Sequence, residues 1–502
     1  MALLAMYDVR GIQNYIFKTN KIKDIIGASN LVENIILEGL NSVIAADKEL
    51  SEKTCLTDWE NDDSEAFLND ESIQMQVLFI GGGNAYVLFK DQDICSKINR
   101  GLSKYILQNT YSLNLAVAVI EKTDDYSEDY KNINLKMMDI KSKMPQTKPM
   151  GAFPFMAIDH STGYPLSSFD HVAQDYVSTE TKLKRKCVKE TEDANKILDN
   201  MVTQKGENSF LAVVHIDGNS MGNRIKEIMK DKKDYPDAIK TMRTISKTLK
   251  NEFVSCYNKM SEKIDSTKHR KIIVAGDDVT FICNAQYAIS AVNEYLKLVA
   301  QKDMYKDETL GEKENRQKYA MSACAGIAFF KSHFPFNDAY EVAEACCANA
   351  KKKAKLAENR DGGQKDGMIG CYLDYQVCTH IKATDLQGYR ERNYTMTDGT
   401  SMIYRPYYVS SACYDGVFDI NTRNKEWDIE TVFQENIKVF SNKEESRNKY
   451  KKLRNAYSFG METVREEIVF LNSRKTKLPG TTENSWYDAL EIVDICELGG
   501  KK

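Results

Sequence analysis

The feature that most constrains the fold of this chain is a pattern of apolar segments that occurs twice in the same order. The first copy begins with LLAMYDVRGIQNYIF (residues 3–17), and the second begins with FLAVVHIDGNSMGNRI (residues 210–225). Each segment is typical of a buried strand that ends near an acid and continues through a turn into a helix. A pattern that recurs in register predicts an internal duplication, so each copy is interpreted against the other.

Each copy continues with a helical stretch, a glycine-centred hairpin and a third apolar strand. The hairpins are QVLFIGGGNAYVLF (76–89) and KIIVAGDDVTFIC (271–283), and the third strands are LNLAVAVI (113–120) and MSACAGIAFF (321–330). Two β-rich runs around a tight glycine turn favour a hairpin. Strand, helix, hairpin, strand, helix is the ferredoxin-like order, in which helices cover one face of an antiparallel sheet. We therefore predict an α+β fold with two ferredoxin-like palm domains.

The rest of the chain is predicted to be mainly helical. At 502 residues the chain is too long for a single hydrophobic core. The stretch between the two copies is polar, charged and helix-prone, and the tail has apolar residues at helical spacing. We predict four parts: a first palm over 1–125, a helical insert over 126–205, a second palm over 206–385 and a mostly helical C-terminal domain over 386–502.

Composition and charge argue against several classes of protein. The net charge is −4, which argues against a generic nucleic-acid coat, because non-specific binding depends on phosphate neutralisation. No uninterrupted apolar run approaches the ~20 residues of a membrane span, so we expect a cytoplasmic protein with no membrane partner. The 12 cysteines include no CxxC pair, so we predict no structural zinc and mostly buried, reduced thiols.

Three aspartates form the candidate catalytic set. Asp277 and Asp278 lie in the turn of the second hairpin, although Asp is also common in ordinary tight turns. Asp217 ends an apolar strand, where a lone carboxylate is costly unless it is paired or bound to a metal. The ferredoxin-like order puts the first strand beside the hairpin, so we expect the three carboxylates to meet at one edge of the sheet.

Carboxylates that are brought together repel one another, and a divalent cation relieves the repulsion. The metal ligands we expect are Asp217, Asp277 and Asp278, together with Gly218. An oxygen-only set without nearby His or Cys favours Mg²⁺ or Mn²⁺ over zinc. Two such ions can position a ribose hydroxyl for in-line attack on an α-phosphate, so we expect a nucleotidyltransferase. His215 is interpreted as a packed strand residue rather than a ligand.

The sequence around these acids suits a nucleoside triphosphate. The stretch GNSMG at 218–222 follows the strand and opens a helix, whose N-terminal amides can hold phosphate oxygens. Lys351, late in the helix after the third strand, could reach the β- and γ-phosphates. The alternative is that Lys351 is a solvated lysine in a charged helix end. The predicted nucleotide-binding residues of this palm are Gly218, Asn219, Ser220, Gly222, Gly276 and Lys351.

The first copy keeps one acid but lacks the other two. Asp8 matches Asp217, whereas the first hairpin reads Gly81-Gly82-Gly83-Asn84. A single carboxylate without partners is a poor two-metal site, so we predict that the first palm is catalytically silent. The turn of Gly81, Gly82 and Gly83 leaves room for a ligand, such as an acceptor nucleotide that faces the active palm.

These motifs resemble those of the large polymerase-like subunit of type III CRISPR effector complexes (the Csm and Cmr groups) and, more distantly, of GGDEF diguanylate cyclases. The motifs that carry the resemblance are DVRGIQNYIF (8–17), GGGN (81–84), DGNSMG (217–222), AGDD (275–278) and AGIAFFKSHFPFNDAYEVAEACCANAKK (325–352). The resemblance implies two palms of the GGDEF/polymerase type. It also implies that the second palm converts ATP to cyclic oligoadenylate messengers when a complex of guide RNA and other CRISPR subunits meets target RNA.

On the family pattern, Asp217 and Asp277 match metal ligands, Asp278 matches the second acid of a Gly-Gly-Asp-Asp turn, and Lys351 matches a lysine that contacts the triphosphate. The sequence departs from the pattern at Ala275, which replaces the first glycine of the turn. Asn219 stands where many members have another Asp. The HD nuclease domain common in the family does not precede the first palm, so we expect no DNA cleavage by this chain.

Two other functions remain open at this stage. The chain could be a stand-alone second-messenger synthase that works as a homodimer without guide RNA. It could also be a non-catalytic scaffold for RNA or protein subunits, although a scaffold has no use for three clustered acids. The sequence does not determine the ring size or linkage of a product, or whether AMP is joined to another small molecule.

Overall fold

The computed structural model describes residues 2–81, 83–144, 151–188, 197–202, 209–360, 370–378, 385–410, 427–442 and 445–495. The chain divides into two compact units, and each is described by itself. Unit 1 comprises Met1–Asn195 and Ser220–Asn251, and unit 2 comprises Lys196–Asn219 and Glu252–Lys502. The four domain boundaries expected from the sequence stay predictions.

The sheet of unit 1 has the predicted ferredoxin-like centre. Strand β1 lies between β4 and β5 and is antiparallel to both, and β3 and β4 form the predicted hairpin. Within the described residues the order is β2-β3-β4-β1-β5, so β2 adds an edge strand parallel to β3. The strands are β1 (Leu3–Arg10), β2 (Thr54–Leu56), β3 (Ile73–Gly81), β4 (Asn84–Phe89) and β5 (Asn114–Glu121).

The insert between the palms is not helical throughout. It contains an antiparallel hairpin of β6 (Leu166–Asp170) and β7 (Asp175–Ser178). Phe169 and Tyr176 lie opposite each other on this hairpin, with their rings edge to face at 5.0 Å. Such cross-strand aromatic pairs stabilise a hairpin, although the composition of this region favours helices.

The sheet of unit 2 repeats the same centre. Strand β8 lies between β10 and β11 and is antiparallel to both, and β9 and β10 form the second hairpin. In the described part of the unit, the order β13-β12-β11-β8-β10-β9 adds β12, parallel to β11, and then β13. The strands are β8 (Phe210–Gly218), β9 (His269–Ala275), β10 (Asp278–Asn284), β11 (Ala323–Lys331), β12 (Cys371–Val377) and β13 (Tyr407–Ser410). The mixed α and β architecture with two palm-type sheets is therefore confirmed.

Helices connect the strands and fill the C-terminal region. The helices as far as residue 261 are α1 (Ile12–Phe17), α2 (Ile22–Glu33), α3 (Ile35–Ala46), α4 (Lys48–Ser51), α5 (Ala66–Asn69), α6 (Gln92–Thr110), α7 (Tyr126–Lys143), α8 (Thr179–Lys186), α9 (Ile197–Met201), α10 (Met221–Met229) and α11 (Tyr235–Ser261). Those that follow are α12 (Ala285–Ala300), α13 (Glu312–Tyr319), α14 (Phe336–Arg360), α15 (Leu386–Asn393), α16 (Glu435–Phe440), α17 (Arg447–Ala456), α18 (Met461–Ser473) and α19 (Trp486–Ile492). A π-helical stretch (Ile429–Gln434) precedes α16.

Helix α14 packs directly on the backbone of β11 at Gly326. A Cβ atom at Gly326 would lie 1.9 Å from the carbonyl oxygen of Ala343 and 2.3 Å from the amide nitrogen of Cys347. No side chain fits at that separation, so glycine is what lets the helix lie this close to the sheet. The close packing brings α14 against both β8 and β11.

A buried ionic network fastens helix α19 to the far edge of the second sheet. Asp488 accepts hydrogen bonds from Nη1 and the backbone amide of Arg405, at 2.6 and 2.8 Å, and from the Tyr407 hydroxyl at 2.8 Å. The Arg405 guanidinium also stacks 4.2 Å above the ring of Tyr375 on β12. Buried charges are tolerated only when paired in this way, so the C-terminal helices are tied to the palm.

Two sequence predictions can be assessed from the fold as a whole. Over the ranges that the structure describes, the cysteines are free thiols, and all except Cys55 and Cys187 are buried. The same ranges contain no helix with the length and apolar character needed to cross a membrane.

Candidate active site

The three predicted acids lie at one edge of the second sheet. Asp217 is the penultimate residue of β8, and Asp278 is the first residue of β10. The pairing of Val279 with Ile216 continues to this edge, so Asp278 and Asp217 lie next to each other on neighbouring strands. Asp277 lies in the turn between β9 and β10, after Gly276, whose φ of 60° is the left-handed conformation that glycine adopts without strain.

Lys351 contacts the end of β8 directly. Its Nζ atom lies 2.5 Å from Oδ2 of Asp217 and donates a hydrogen bond to the carbonyl oxygen of Gly218 at 2.8 Å. Lys351 belongs to α14, whose close packing on Gly326 brings it to this edge. The alternative of a lysine that is merely solvated at a helix end is therefore wrong, because Lys351 is engaged with a candidate ligand.

The electrostatics show that the acids act on one another. Burial first, and then the charges of Asp217 and Asp278, raise the pKa of Asp277 to about 6, although Lys351 opposes the shift. The protonated form of this carboxyl group is therefore more favoured than in water, because the charge of the ionised form is poorly solvated and faces like charges. A cation at this position would remove that penalty.

The donor atoms fit a hard divalent cation in their chemistry. Asp217, Asp277 and Asp278 supply carboxylate oxygens, and Gly218 supplies a carbonyl oxygen, which are the ligand types that Mg²⁺ and Mn²⁺ prefer. Among the residues that the structure describes, no group of three or more His, Cys, Asp or Glu side chains has an arrangement that could hold a metal ion. Lys351 is bound to two of the four candidate ligands, so cation binding requires Lys351 to shift.

Asn219 holds the end of β8 in place. Its side chain is buried, and its amide nitrogen donates to Oγ of Ser322 at 3.2 Å and to the carbonyl oxygen of Gly370 at 3.3 Å. Its backbone amide donates to the carbonyl oxygen of Ser322 at 2.9 Å. These contacts give Asn219 a structural part in the site, and a direct contact with nucleotide stays a prediction.

The other predicted nucleotide-binding residues are distributed over both units. Ser220 and Gly222 belong to unit 1, whereas Gly218, Gly276 and Lys351 belong to unit 2. Helix α10 begins at Met221, as the sequence predicts, after Ser220 in the left-handed conformation with a φ of 55°.

The glycine turn of the first palm is only partly described. Gly81 ends β3. Gly83 has a φ of 82°, and its carbonyl oxygen accepts a hydrogen bond from the amide of Val9. Gly82 lies outside the described residues. The role of this turn in binding a nucleotide stays a prediction.

The first palm has an acid–lysine pair that the sequence analysis missed. Asp8 forms an ion pair with Lys141 on α7, as Asp217 does with Lys351 on α14. Each lysine lies 20 residues after the last residue of the preceding strand, Glu121 or Lys331. This equal spacing is the signal that could have identified Lys141. The two palms therefore share the Asp–Lys pair, and only the second has the two hairpin acids.

Comparison with known proteins finds a family to which residues 210–362 are similar. Residues 210–362 match the model of the second palm domain of Cas10/Cmr2, whereas no curated protein matches the sequence. Among solved structures, a Csm1–Csm4 cassette in complex with AMPPNP is 11% identical with a TM-score of 0.50, covering 98% of this chain and 69% of that one. Csm1 of T. onnurineus is 13% identical with a TM-score of 0.46 over the same shares.

The matched range contains β8 to β11 and the whole of α14, and thus Asp217, Asp277, Asp278 and Lys351. The likeness to the AMPPNP-bound cassette extends the shared fold to nearly the whole chain. Residues 210–362 therefore match a second palm domain of the Cas10/Cmr2 type, and over nearly its whole length the chain shares its fold with the protein of the cassette.

Proposed function

We propose that this chain is a metal-dependent nucleotidyltransferase of a type III CRISPR effector complex that makes cyclic oligoadenylates from ATP. The observation that carries the proposal is the set of Asp217, Asp277 and Asp278 at one sheet edge, with Lys351 directly beside it. The set lies within the range that matches the Cas10/Cmr2 second palm. Similarity to a Csm1–Csm4 cassette with bound AMPPNP supports an adenine nucleotide as substrate and a Csm4-like protein as partner.

The chain's own residues account for how a triphosphate would be held. Asp217, Asp277, Asp278 and the Gly218 carbonyl would bind Mg²⁺ or Mn²⁺, which when bound lowers the barrier to attack on the α-phosphate. Lys351, once released from Asp217, carries the positive charge that the β- and γ-phosphates require. The raised pKa of Asp277 in the cation-free site means that cation binding should strengthen as pH rises through about 6, since only the carboxylate form is a ligand.

The experiment that tests this proposal is incubation of the purified chain with each nucleoside triphosphate. Mg²⁺ and Mn²⁺ are compared, with and without guide and target RNA and the partner subunits. The expected result is that ATP gives adenylate oligomers and pyrophosphate, and that RNA increases the rate. Equal activity without RNA or partners would favour the stand-alone synthase, and absence of product under every condition would favour the scaffold.

A further inference from the structure

The two glycine-centred hairpins share a β-bulge at the same place. In the first hairpin the register of β3 against β4 shifts at Leu78, which is the extra residue of the bulge. In the second hairpin the register of β9 against β10 shifts in the same way at Ile272. Each bulge lies three residues before the start of the turn, at Gly81 or Ala275. A bulge bends its strand and changes the direction of the residues that follow, so the same device precedes the glycine turn and the turn that has the acids.

The bulge of the first hairpin is bound by Arg243 of α11. Its Nε atom donates a hydrogen bond to the carbonyl oxygen of Leu78 at 2.7 Å, and Nη2 donates to the carbonyl oxygen of Val77 at 3.0 Å. Strand β2 pairs with β3 as far as Gln76, so the guanidinium supplies donors to the two residues that follow. Arg243 is only 5% exposed, and buried carbonyl groups need such partners.

The guanidinium is itself held in one orientation. Nη1 donates to the carbonyl oxygen of Asp62 at 2.9 Å and lies 2.6 Å from Oδ1 of the same residue. The carboxylate balances a charge that would otherwise be costly to bury. Further along α11, Lys247 donates to the carbonyl oxygen of Glu60, and Lys250 forms an ion pair with the Glu60 carboxylate at 2.7 Å. The planar fork of Arg243 therefore approaches the bulge from a helix that is anchored beside it.

The same helix continues to the turn. A Cβ atom at Gly81 would lie 4.0 Å from Oγ of Ser246, which is three residues after Arg243 on α11. At the other end of the turn, the carbonyl oxygen of Gly83 accepts a hydrogen bond from the amide of Val9 at 3.0 Å. In sequence, α11 lies between β8 and β9 of the second copy, but this part of it belongs to unit 1. A helix of the second copy thus supports the turn of the first.

We propose that Arg243 is a positioning residue for the glycine turn of the first palm, because it holds the bulge that sets the direction in which Gly81 and Gly83 leave the sheet. The inference rests on the proposed function, because it takes this turn as the place of the acceptor nucleotide. Misplacement of a reacting group by about 1 Å can cost about 100-fold in rate. Loss of Arg243 should therefore lower the rate of nucleotide joining at least about 10-fold.

Hydrogen–deuterium exchange on the full chain tests the positioning role without relying on turnover. Arg243→Met keeps a long side chain but removes all of its donors. We expect amide exchange at residues 77–85 and at Val9 to become at least about 10-fold faster, as for the loss of hydrogen bonds from a charged group. Exchange in β5 should stay within about 2-fold of the wild type. The control Lys250→Met breaks an exposed ion pair on the same helix and should change neither segment.

A second variant covers the case in which Arg243→Met does not fold. Arg243→Lys keeps the positive charge, but a single ammonium group cannot reproduce the fork that binds both carbonyl groups of the bulge. Exchange at residues 77–85 should be about 3-fold faster than in the wild type, which lies between the wild type and Arg243→Met. Wild-type exchange in a folded Arg243→Lys protein would overturn the positioning role.

The outcomes separate this inference from the function on which it rests. The positioning role is wrong if exchange at residues 77–85 is unchanged in Arg243→Met. It is also wrong if exchange rises equally in β5, because Arg243 would then only stabilise the whole unit. Faster exchange at the turn with an unchanged rate of nucleotide joining would show that the turn holds no reacting nucleotide, and the inference would fail. Absence of product from the wild type would instead contradict the proposed function, on which the exchange measurement does not depend.

Discussion

Replacing Asp277 with Asn should stabilise the cation-free protein, and the gain should grow with pH. In the folded protein, burial and then the charges of Asp217 and Asp278 raise the pKa of Asp277 to about 6, from an ordinary value of 3.8. The unfolded chain therefore releases this proton at a lower pH than the folded protein does. Above pH 4 the unfolded state gains a favourable ionisation that the folded state does not, so ionisation of Asp277 reduces the free energy of unfolding.

The magnitude follows from the size of the pKa difference. A difference of about 2 in the pKa of Asp277 between the folded and unfolded states corresponds to about 3 kcal/mol in the free energy of unfolding, once Asp277 is ionised in both states. Ionisation of Asp277 should lower the free energy of unfolding of the wild type by about 1 kcal/mol at pH 4.5 and by at most about 3 kcal/mol at pH 8. Asn carries no charge at either pH. The free energy of unfolding of Asp277→Asn should therefore exceed that of the wild type by about 2 kcal/mol more at pH 8 than at pH 4.5.

Urea unfolding in the presence of EDTA at these two pH values measures the effect. Asp159→Asn is a control of opposite sign in unit 1. Burial raises the pKa of Asp159, but hydrogen bonds from Thr181, Ser178 and Ser161 outweigh burial and lower it to about 2. Its carboxylate therefore stabilises the fold above pH 4, and that stability is lost only as the pH falls toward 2. Asp159→Asn should be destabilised equally at pH 4.5 and 8. The reasoning is refuted if Asp277→Asn gives no gain, or the same gain at both pH values.

Three further predictions follow from particular contacts. Asp8→Ala should change the rate of nucleotide joining less than about 3-fold, whereas Asp217→Ala should reduce it at least about 100-fold, because only the second hairpin has acids. Similar losses of rate in the two folded variants would show that both palms are catalytic. Lys351→Gln should weaken ATP binding about 10-fold in a filter-binding assay, as expected for a lost charge-assisted contact with phosphate, and an unchanged Kd would exclude Lys351 from triphosphate binding. Asp488→Ala should cost about 3–5 kcal/mol, because it removes a buried carboxylate that pairs with Arg405 and accepts a hydrogen bond from Tyr407. Asp494→Ala, which breaks an exposed pair with Arg447, should cost less than about 1 kcal/mol in the same unfolding assay.

Local pattern was sufficient to predict the centres of both sheets. Apolar runs and glycine turns specify strands and hairpins through interactions close in sequence, and the ferredoxin-like order then places Asp217 beside Asp278. These features share one property, which is that each depends on a short segment and on the order of segments along the chain.

Features that depend on distant pairing could not be predicted in the same way. The edge strand β2 and the hairpin of β6 and β7 are short, and their composition does not distinguish them from loops. The ion pair of Asp8 and Lys141 joins residues 133 positions apart. The equal spacing of Lys141 and Lys351 from the preceding strands indicates a shared role, but the contact with Asp8 depends on how α7 packs on the sheet. The buried position of Asn219 likewise depends on Ser322 and Gly370. Nothing in the sequence around Ser322 or Gly370 indicates a contact with Asn219.

The measurement that tests the central claim most directly is the release of pyrophosphate from ATP by two proteins that differ only in the hairpin acids. The wild type and the variant Asp277→Ala, Asp278→Ala are assembled with the same RNA and partner subunits and supplied with Mg²⁺ or Mn²⁺. Removing mutually repelling acids should leave folding intact, and melting temperatures check that it does. We predict oligoadenylate products with matching pyrophosphate release from the wild type and none above background from the folded variant. Product formation by the variant at the wild-type rate would contradict the assignment of this palm as the catalytic site.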